Sequence, residues 1–274
     1  MMEFRTVVDI EKPGFEIEPC EEMLFVGSCF ADNIGARFKE EKFRAIVNPF
    51  GVMYNPASIL HTIERLDNVS NVKTAFFTLG TNHIYRLKET GEIVDNCQKR
   101  PQSLFTEEEL TVDECADYLQ RAIDILCQHN PNIRIVLTVS PIRYRKYGYH
   151  GSQLSKATLL LAVQKVISHL SPLRSHLLYY FPAYEIINDE LRDYRFYAED
   201  MLHPSSQAVE YIWQRLSEVY FSDEAKAFVR EWQPLRKALN HKPFNLDSEE
   251  YRIFIDKTML KIAELRKKYP NFAL

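Results

Sequence analysis

The stretch FVGSCFADNIGARF, residues 25–38, decides the fold because it joins an apolar run directly to a helical pattern. The run MLFV (23–26) has the length and composition of a buried strand, and apolar residues three or four apart follow from position 31 onward. Gly27 and Ser28 lie between the two patterns. A glycine permits backbone angles that other residues resist, and a serine caps the first turn of a helix. The stretch therefore predicts a strand, a sharp corner and a helix.

Four further apolar runs repeat this arrangement along the chain. They are RAIV (44–47), TAFFTL (74–79), RIVLTV (134–139) and HLLYYF (176–181). Helical patterns, which alternate with these runs, occur at residues 31–41, 56–66, 107–129 and 152–170. The alternation predicts an α/β fold, in which helices cover both faces of a mostly parallel five-stranded sheet in a three-layer α/β/α sandwich. The segment YRLKETGEIVDN (85–96) predicts a hairpin inserted after the third strand.

The pattern changes at about residue 222 to charged amphipathic helix, most clearly in SEEYRIFIDKTMLKIAELRKKY (248–269). We therefore predict an α/β domain at 1–221 and a C-terminal helical extension at 222–274. The extension could pack on the domain or on a partner chain. In the second case its helices would make the protein an oligomer.

Composition and charge exclude several classes of function. The 34 basic and 38 acidic residues are mixed along the chain and give a formal charge of −4, so no basic field for nucleic acid is expected. No signal-type leader and no run of 18 apolar residues occurs, which predicts a cytoplasmic protein without a membrane span. The five cysteines are odd in number and lack CxxC spacing, so we expect neither a disulfide framework nor a metal site.

Ser28 is the first candidate for chemistry. In an open parallel sheet, ligands bind at the carboxyl ends of the strands, where helix N-termini also gather. The free N–H groups and dipole of the following helix would favour a developing anion beside this serine. Ser28 is therefore a candidate nucleophile. The alternative is that it only caps the helix.

A serine nucleophile needs a base, and one of the eight histidines stands near a carboxylate. In FYAEDMLHPS (196–205), Asp200 precedes His203 by three residues. On one turn an aspartate can accept a hydrogen bond from the imidazole Nδ1–H and leave Nε2 to take the proton of a serine. The pair predicts an orienting acid and a base. The alternative is a surface turn that holds a helix cap.

The loops at the same edge of the sheet contain candidate oxyanion donors. Only eight glycines occur, and Gly51 and Gly80 follow the second and third strands, where each could expose a backbone N–H. Asn82 could add a side-chain amide donor. Ordinary loop chemistry is the alternative. Arg143, just beyond the fourth strand, could anchor an anionic substrate or pair with a nearby carboxylate.

The order of these pieces resembles that of the SGNH (GDSL-like) hydrolase superfamily. More narrowly, GSCFA (27–31) is similar to the motif for which the GSCFA family of bacterial proteins is named. Three further similar segments are SPIRY (140–144), LSKATL (154–159) and YFPAYEIINDELRDYRFYAEDMLHPS (180–205). The resemblance covers roughly residues 20–220, and it implies a flavodoxin-like, SGNH hydrolase-like three-layer α/β/α sandwich.

The resemblance implies roles for individual residues. Ser28 would be the nucleophile, His203 the base and Asp200 its orienter. Gly51 and an asparagine near the third strand, Asn82 or Asn96, would be the oxyanion donors. The implied function is a serine esterase or O-acyltransferase that acts on a small acyl ester, such as an acetyl group on a saccharide or a cell-envelope precursor. No metal or organic cofactor is expected.

Two alternatives stay open at this point. Cys29 is intrinsically a better nucleophile than serine and would make the protein a Cys-His hydrolase. The same scaffold could also serve a non-catalytic protein that binds a glycan or joins an assembly through its helical tail, since a fold alone does not imply a function.

Overall fold

A computed structural model describes residues 4–95, 97, 100–169, 177–245 and 248–272. Its strands, in chain order, are β1 (Glu22–Gly27), β2 (Arg44–Val47), β3 (Thr74–Leu79), β4 (His83–Leu87), β5 (Ile93–Val94), β6 (Phe105–Glu109), β7 (Arg134–Val139) and β8 (Leu178–Tyr180). Its α-helices are α1 (Cys29–Glu40), α2 (Pro56–Glu64), α3 (Val112–His129), α4 (Gly148–His169), α5 (Ala183–Glu185), α6 (Ser206–Tyr220), α7 (Asp223–Leu239) and α8 (Glu249–Lys268). α5 continues as a π-helical turn over Ile186–Leu191.

Five strands form one parallel sheet in the order β2-β1-β3-β7-β8. Counting only these five, the order is 2-1-3-4-5, which is that of flavodoxin-like folds. β3 and β7 lie in the middle of the sheet and are buried almost throughout, which explains their continuous apolar sequences. The five predicted strands are confirmed, and the last is shorter than predicted.

The sheet is covered on both faces. Side chains of β1 alternate between two clusters, with Phe25 in one and Leu24 and Val26 in the other, as expected for a strand. The cluster that contains Phe25 includes residues of α1, α6, α7 and α8, whereas the opposite cluster includes residues of α2, α3 and α4. The predicted three-layer sandwich is confirmed. Within the described ranges, no helix combines the length and apolar character that crossing a bilayer requires.

The predicted hairpin after the third strand is confirmed as β4 and β5, which pair around a turn containing Gly91. The prediction of one helix over 107–129 was wrong at its start. β6 pairs antiparallel with β4 and extends to Glu109, and α3 begins only at Val112. Thr111 ends the extended segment, because its hydroxyl and the Glu114 side chain form a capping box.

The C-terminal helices α7 and α8 pack against the α1 side of the sandwich. The Trp232 indole N–H of α7 donates to the Glu40 carbonyl at 2.7 Å. Phe228 makes edge-on ring contacts with Tyr269 and Phe272, and all three residues belong to the same core cluster as Phe25 of β1. These contacts bury Phe228 and Trp232 of α7, whereas Met259 and Leu260 of α8 stay exposed. The boundary at 221/222 stays a prediction.

Candidate active site

The β1–α1 corner depends on Gly27. Its φ is +142°, and a Cβ at this position would lie 2.2 Å from the carbonyl oxygen of Thr78 in the neighbouring strand. The next residue, Ser28, donates its N–H to that same carbonyl at 3.0 Å. Only glycine therefore allows the end of β1 to approach β3 this closely.

Ser28 is the N-cap of α1 and is completely buried. Its hydroxyl donates to Ser140 Oγ at 2.9 Å and lies 3.2 Å from Thr78 Oγ1. It also accepts the N–H of Phe30 at 3.2 Å. Both the proton and the acceptor capacity of this hydroxyl are therefore committed to neighbouring strands and to the helix. Ser28 therefore has the helix-capping role that its position in the sequence predicts.

Asp200 and His203 lie together in the loop before α6. Asp200 Oδ2 is 2.5 Å from His203 Nδ1, and Asp200 Oδ1 accepts the N–H groups of Leu202 and His203. These hydrogen bonds lower the pKa of Asp200 to about 2, so the carboxylate is charged at neutral pH. About two-fifths of each side chain is exposed. The aspartate therefore orients a solvent-accessible imidazole, as the spacing predicts.

This loop is fastened to the edge of the sheet and to itself. Leu202 O accepts the N–H of Arg143, which follows β7, at 3.1 Å. Ala198 N–H donates to His203 O at 2.8 Å, so the segment folds back on itself. Burial raises the pKa of Cys29, and the charge of Asp200 adds a smaller effect in the same direction. The dyad is therefore within electrostatic reach of the corner. Within the described chain, however, the Ser28 hydroxyl makes no hydrogen bond to His203.

The predicted oxyanion donors already have partners. Gly51 N–H donates to Asn48 O at 2.8 Å, and Gly80 N–H donates to Tyr54 O at 2.9 Å. The Asn82 amide donates to Leu110 O at 2.8 Å, which ties it to the start of α3. The oxyanion roles of these residues stay predictions. Asn96 lies outside the described residues.

Arg143 lies between two aromatic rings. Its guanidinium carbon is 4.8 Å from the ring centroid of Tyr149 and 4.7 Å from that of Tyr197. It pairs with no carboxylate in the part of the chain that the structure describes. Tyr197 and Arg143 also line one wall of a cavity of about 390 Å³. The alternative of a structural ion pair for Arg143 therefore finds no support in these contacts.

Lys156 on α4 is a functional candidate that the sequence analysis did not single out. It is 1% exposed and donates to the carbonyls of Gly80 and Ser140 at 2.6 and 2.8 Å. Burial lowers its pKa to about 7, and it pairs with no carboxylate among the described residues. The charge of Lys156 lowers the pKa of Cys29, although burial raises that pKa overall. A lysine on the apolar face of α4, between Ser152 and Leu159, was the signal available in the sequence.

We expect the stability of the Lys156→Met variant relative to wild type to depend on pH. Below pH 7 both folded and unfolded wild type carry the ammonium, and only the folded state bears the cost of burying it. Above pH 7 the folded protein releases that proton, whereas the unfolded chain keeps it to about pH 10. Between pH 6 and pH 9, urea unfolding should show wild type gaining about 2–3 kcal/mol over the variant.

The matched control is Lys165→Met, a partly exposed lysine on the same helix that pairs with Asp113. Its difference from wild type should be the same at both pH values. If the difference in unfolding free energy between wild type and Lys156→Met is also the same at pH 6 and pH 9, Lys156 does not titrate as a buried lysine.

The Tyr144 phenol lies beside Gly80, whose carbonyl oxygen accepts a hydrogen bond from Lys156. A Cβ on Gly80 would lie 2.5 Å from the Tyr144 hydroxyl and 3.4 Å from Ser28 Cβ. That hydroxyl is buried and has no hydrogen-bond partner in the described structure. Burial and the nearby Cys29 raise the pKa of Tyr144, so its phenol stays protonated and can donate. Because Gly80 has no side chain, the Tyr144 hydroxyl fits beside it, and this hydroxyl has no acceptor for its proton among the described residues.

Comparison with models of known protein families gives the family that the GSCFA motif at 27–31 indicates. A model described as the GSCFA family matches residues 22–75 and 67–216, and one described as the C-terminal domain of GSCFA domain proteins matches residues 232–274. No curated protein matches the sequence of this chain. The resemblance inferred from the sequence is confirmed.

Solved structures show the same fold at low identity. A mutant of Axe2, an acetyl-xylooligosaccharide esterase from Geobacillus stearothermophilus, is 11% identical with a TM-score of 0.50, over 76% of this chain and 98% of that one. A member of the lipolytic protein G-D-S-L family from Veillonella parvula is 12% identical with a TM-score of 0.46, over 73% and 98%. The likeness to Axe2 agrees with the three-layer α/β/α sandwich described above.

Proposed function

The chain belongs to the GSCFA family, and from this premise we propose that it hydrolyses or transfers small acyl esters by covalent catalysis. The nucleophile comes from the β1–α1 corner, where Ser28 is the candidate from the sequence and Cys29 is the alternative. His203 is the general base and Asp200 orients it.

The Asp200–His203 pair carries this proposal. A charged carboxylate 2.5 Å from Nδ1 holds the proton on that nitrogen and leaves Nε2 as the basic atom. The loop that holds the pair is tied to the carboxyl end of β7, because Arg143 N–H donates to Leu202 O at 3.1 Å. About two-fifths of the imidazole is exposed, so a substrate can reach it.

The reaction follows from these residues. His203 Nε2 takes the proton of the nucleophile, whose heteroatom attacks the ester carbonyl. The tetrahedral intermediate collapses with cleavage of the bond to the alcohol, which receives the proton from His203. Water or an acceptor hydroxyl then attacks the acyl-enzyme with the same base, and the nucleophile is released.

The cavity beside the dyad suggests a saccharide as the carrier of the acyl group. It has a volume of about 390 Å³ and is lined by aromatic, charged and amide side chains. Tyr197 in its wall pairs with Pro204, the residue after His203, in an isolated β-bridge. Aromatic faces with convergent polar groups are typical of small-molecule sites. Axe2, which shares this fold, is described as an acetyl-xylooligosaccharide esterase. We propose an acetylated saccharide as the substrate here.

The test is hydrolysis of p-nitrophenyl acetate in large excess over the enzyme. We expect many turnovers per molecule, whereas urea-unfolded protein with the same thiols should release only stoichiometric nitrophenol. If an acceptor alcohol increases nitrophenol release and appears as a new acetate ester, transfer is the dominant reaction. Absence of turnover and of transfer would contradict the proposal and favour the non-catalytic alternative.

A further inference from the structure

The cavity of about 390 Å³ beside the dyad is lined by more positive than negative charge. Its wall contains two arginines, Arg143 and Arg192, and one carboxylate, that of Asp193. The carboxylate is already engaged, because Asp193 accepts the N–H of Arg195 at 2.9 Å and lies 3.8 Å from the Arg195 side chain. Among the described residues, neither Arg143 nor Arg192 pairs with a carboxylate. Two cations in one cavity therefore lack a negatively charged partner.

The Arg143 side chain is positioned by aromatic rings. The ring centroids of Tyr149 and Tyr197 lie 4.8 and 4.7 Å from its guanidinium carbon. An aromatic ring attracts the cation but provides no strong acceptor for its N–H groups. Arg143 Nε is also buried without a hydrogen-bond partner in the described structure. The rings therefore hold the guanidinium in place, and they do not replace the anion that its fork of donors would bind.

Arg143 is connected to the chain on both sides of His203. Its N–H donates to the carbonyl of Leu202, the residue before His203, at 3.1 Å. Tyr197, whose ring lies over the guanidinium, forms a β-bridge with Pro204, the residue after His203. The cavity wall and the exposed imidazole therefore belong to one folded segment, so a ligand held by Arg143 lies close to the proposed base.

The π-helical turn after α5 supplies further binding groups. Arg192 ends this turn in a left-handed conformation, with φ of +45°, which residues with a Cβ rarely adopt. Its N–H donates to Ile187 O at 3.0 Å and so fixes the turn. Asn188, which also lines the cavity, donates its amide to Tyr184 O at 2.7 Å, which leaves the amide oxygen as an acceptor for a sugar hydroxyl. The wall therefore combines cations for an acid group with an acceptor for a hydroxyl.

Resting on the proposed function, we propose that the substrate is an acylated acidic saccharide and that Arg143, assisted by Arg192, binds its acid group in this cavity. A guanidinium donates two parallel hydrogen bonds to a carboxylate or to a phosphate, so either acid group fits the site. A neutral saccharide would stack on the tyrosines equally well, but it would leave both cations unpaired.

The test compares two substrates that differ only in charge. A mono-O-acetylated methyl glucuronoside carries a carboxylate, and the corresponding glucuronamide has the same shape without the charge. We expect wild type to release acetate from the acid with a kcat/KM about 10–100-fold higher than from the amide, the effect of one charge-assisted pair. The difference should lie in KM and decrease as salt is added.

Acetylated glucose 6-phosphate distinguishes the two kinds of acid, because the preferred acid is the one with the higher kcat/KM. Equal values of kcat/KM for the carboxylate, the phosphate and the amide would overturn the proposal.

Variants show whether Arg143 is the anchor. Arg143→Gln should reduce the ratio of kcat/KM between acid and amide to about 1–3, since the charged donor is lost. Arg143→Lys, which keeps the charge but not the planar fork, should give an intermediate ratio. The matched control is Arg145→Gln, an exposed arginine on the same loop, which should keep the wild-type ratio. If Arg143→Gln does not fold, Arg192→Gln provides the same readout on an exposed residue, with a severalfold fall in the ratio. An unchanged ratio in both arginine variants would overturn the proposal.

A binding measurement separates this proposal from the proposed function. Titration calorimetry with methyl glucuronoside and its amide, both without an acetyl group, requires no turnover. Selective binding of the acid by a protein that turns over no ester would support the acid site and contradict the esterase. Turnover of p-nitrophenyl acetate without any preference for an acid would overturn the acid site and leave the esterase intact.

Discussion

Replacing His203 with alanine is expected to lower kcat/KM for p-nitrophenyl acetate by about 10²–10⁴-fold, the usual contribution of a positioned general base. The thiol or hydroxyl at the corner would then have to lose its proton to water. Because the His203 side chain is two-fifths exposed and forms no core contact, the free energy of unfolding should change little. The measurement is steady-state kinetics with thermal unfolding of the same preparations.

The chain offers a matched control for this experiment. His61 on α2 is also held by an aspartate, with Nδ1 2.8 Å from Asp95 Oδ1. Among the described residues, the His61 side chain makes no hydrogen bond to residues 27–29 or to the loop before α6. His61→Ala should therefore keep kcat/KM within about twofold of wild type, since it removes no group from the reaction. Equal activity of the His203→Ala variant and wild type would exclude His203 as the base.

The orienting role of Asp200 can be separated from that of the base. Asp200→Asn keeps the shape of the side chain but can present its amide to Nδ1, which favours the wrong tautomer of His203. In serine hydrolases such a change lowers kcat by about 10⁴. We expect the Asn variant to lose most of the activity that His203→Ala loses, with its KM little changed.

Gly27→Ala is expected to be the most damaging single substitution for stability. The added Cβ would lie 2.2 Å from the Thr78 carbonyl oxygen and 2.8 Å from its nitrogen, both of which are backbone atoms held in the sheet. A flexible side chain could move aside, but the β1–β3 ladder cannot without losing hydrogen bonds. We expect a loss of at least about 4 kcal/mol, or failure to fold. For a chain of this size the Tm should fall by about 10 °C or more.

Gly91→Ala is the control for backbone strain alone. Gly91 also has a positive φ, +73°, but no atom lies within 4 Å of the position its Cβ would take. Its cost should therefore be only the strain of a left-handed residue, about 1–2 kcal/mol. If the two variants unfold at the same temperature, the close approach of β1 to β3 is not what requires glycine at position 27.

The strands could be predicted because each one is a short apolar run bounded by turn residues. The helix predicted at 107–129 shows the limit of this reasoning. TEEE in β6 is polar, and only its antiparallel pairing with β4 makes it a strand. A local pattern carries no information about a partner twenty residues away.

The two histidine–aspartate pairs show the same limit of prediction from sequence. The spacing of Asp200 and His203 is local, so the sequence predicts their hydrogen bond. The pairing of His61 with Asp95 spans 34 residues, and no spacing rule reveals it.

The sequence by itself determined the alternation of strands and helices, the corner at Gly27 and the Asp200–His203 pair, since each depends on residues that are neighbours along the chain. Only the tertiary structure decided that the Ser28 hydroxyl is enclosed, that Cys29 is half-buried, and that Lys156 and Tyr144 meet at Gly80. Burial depends on how distant segments pack, and no local pattern in the sequence shows that packing.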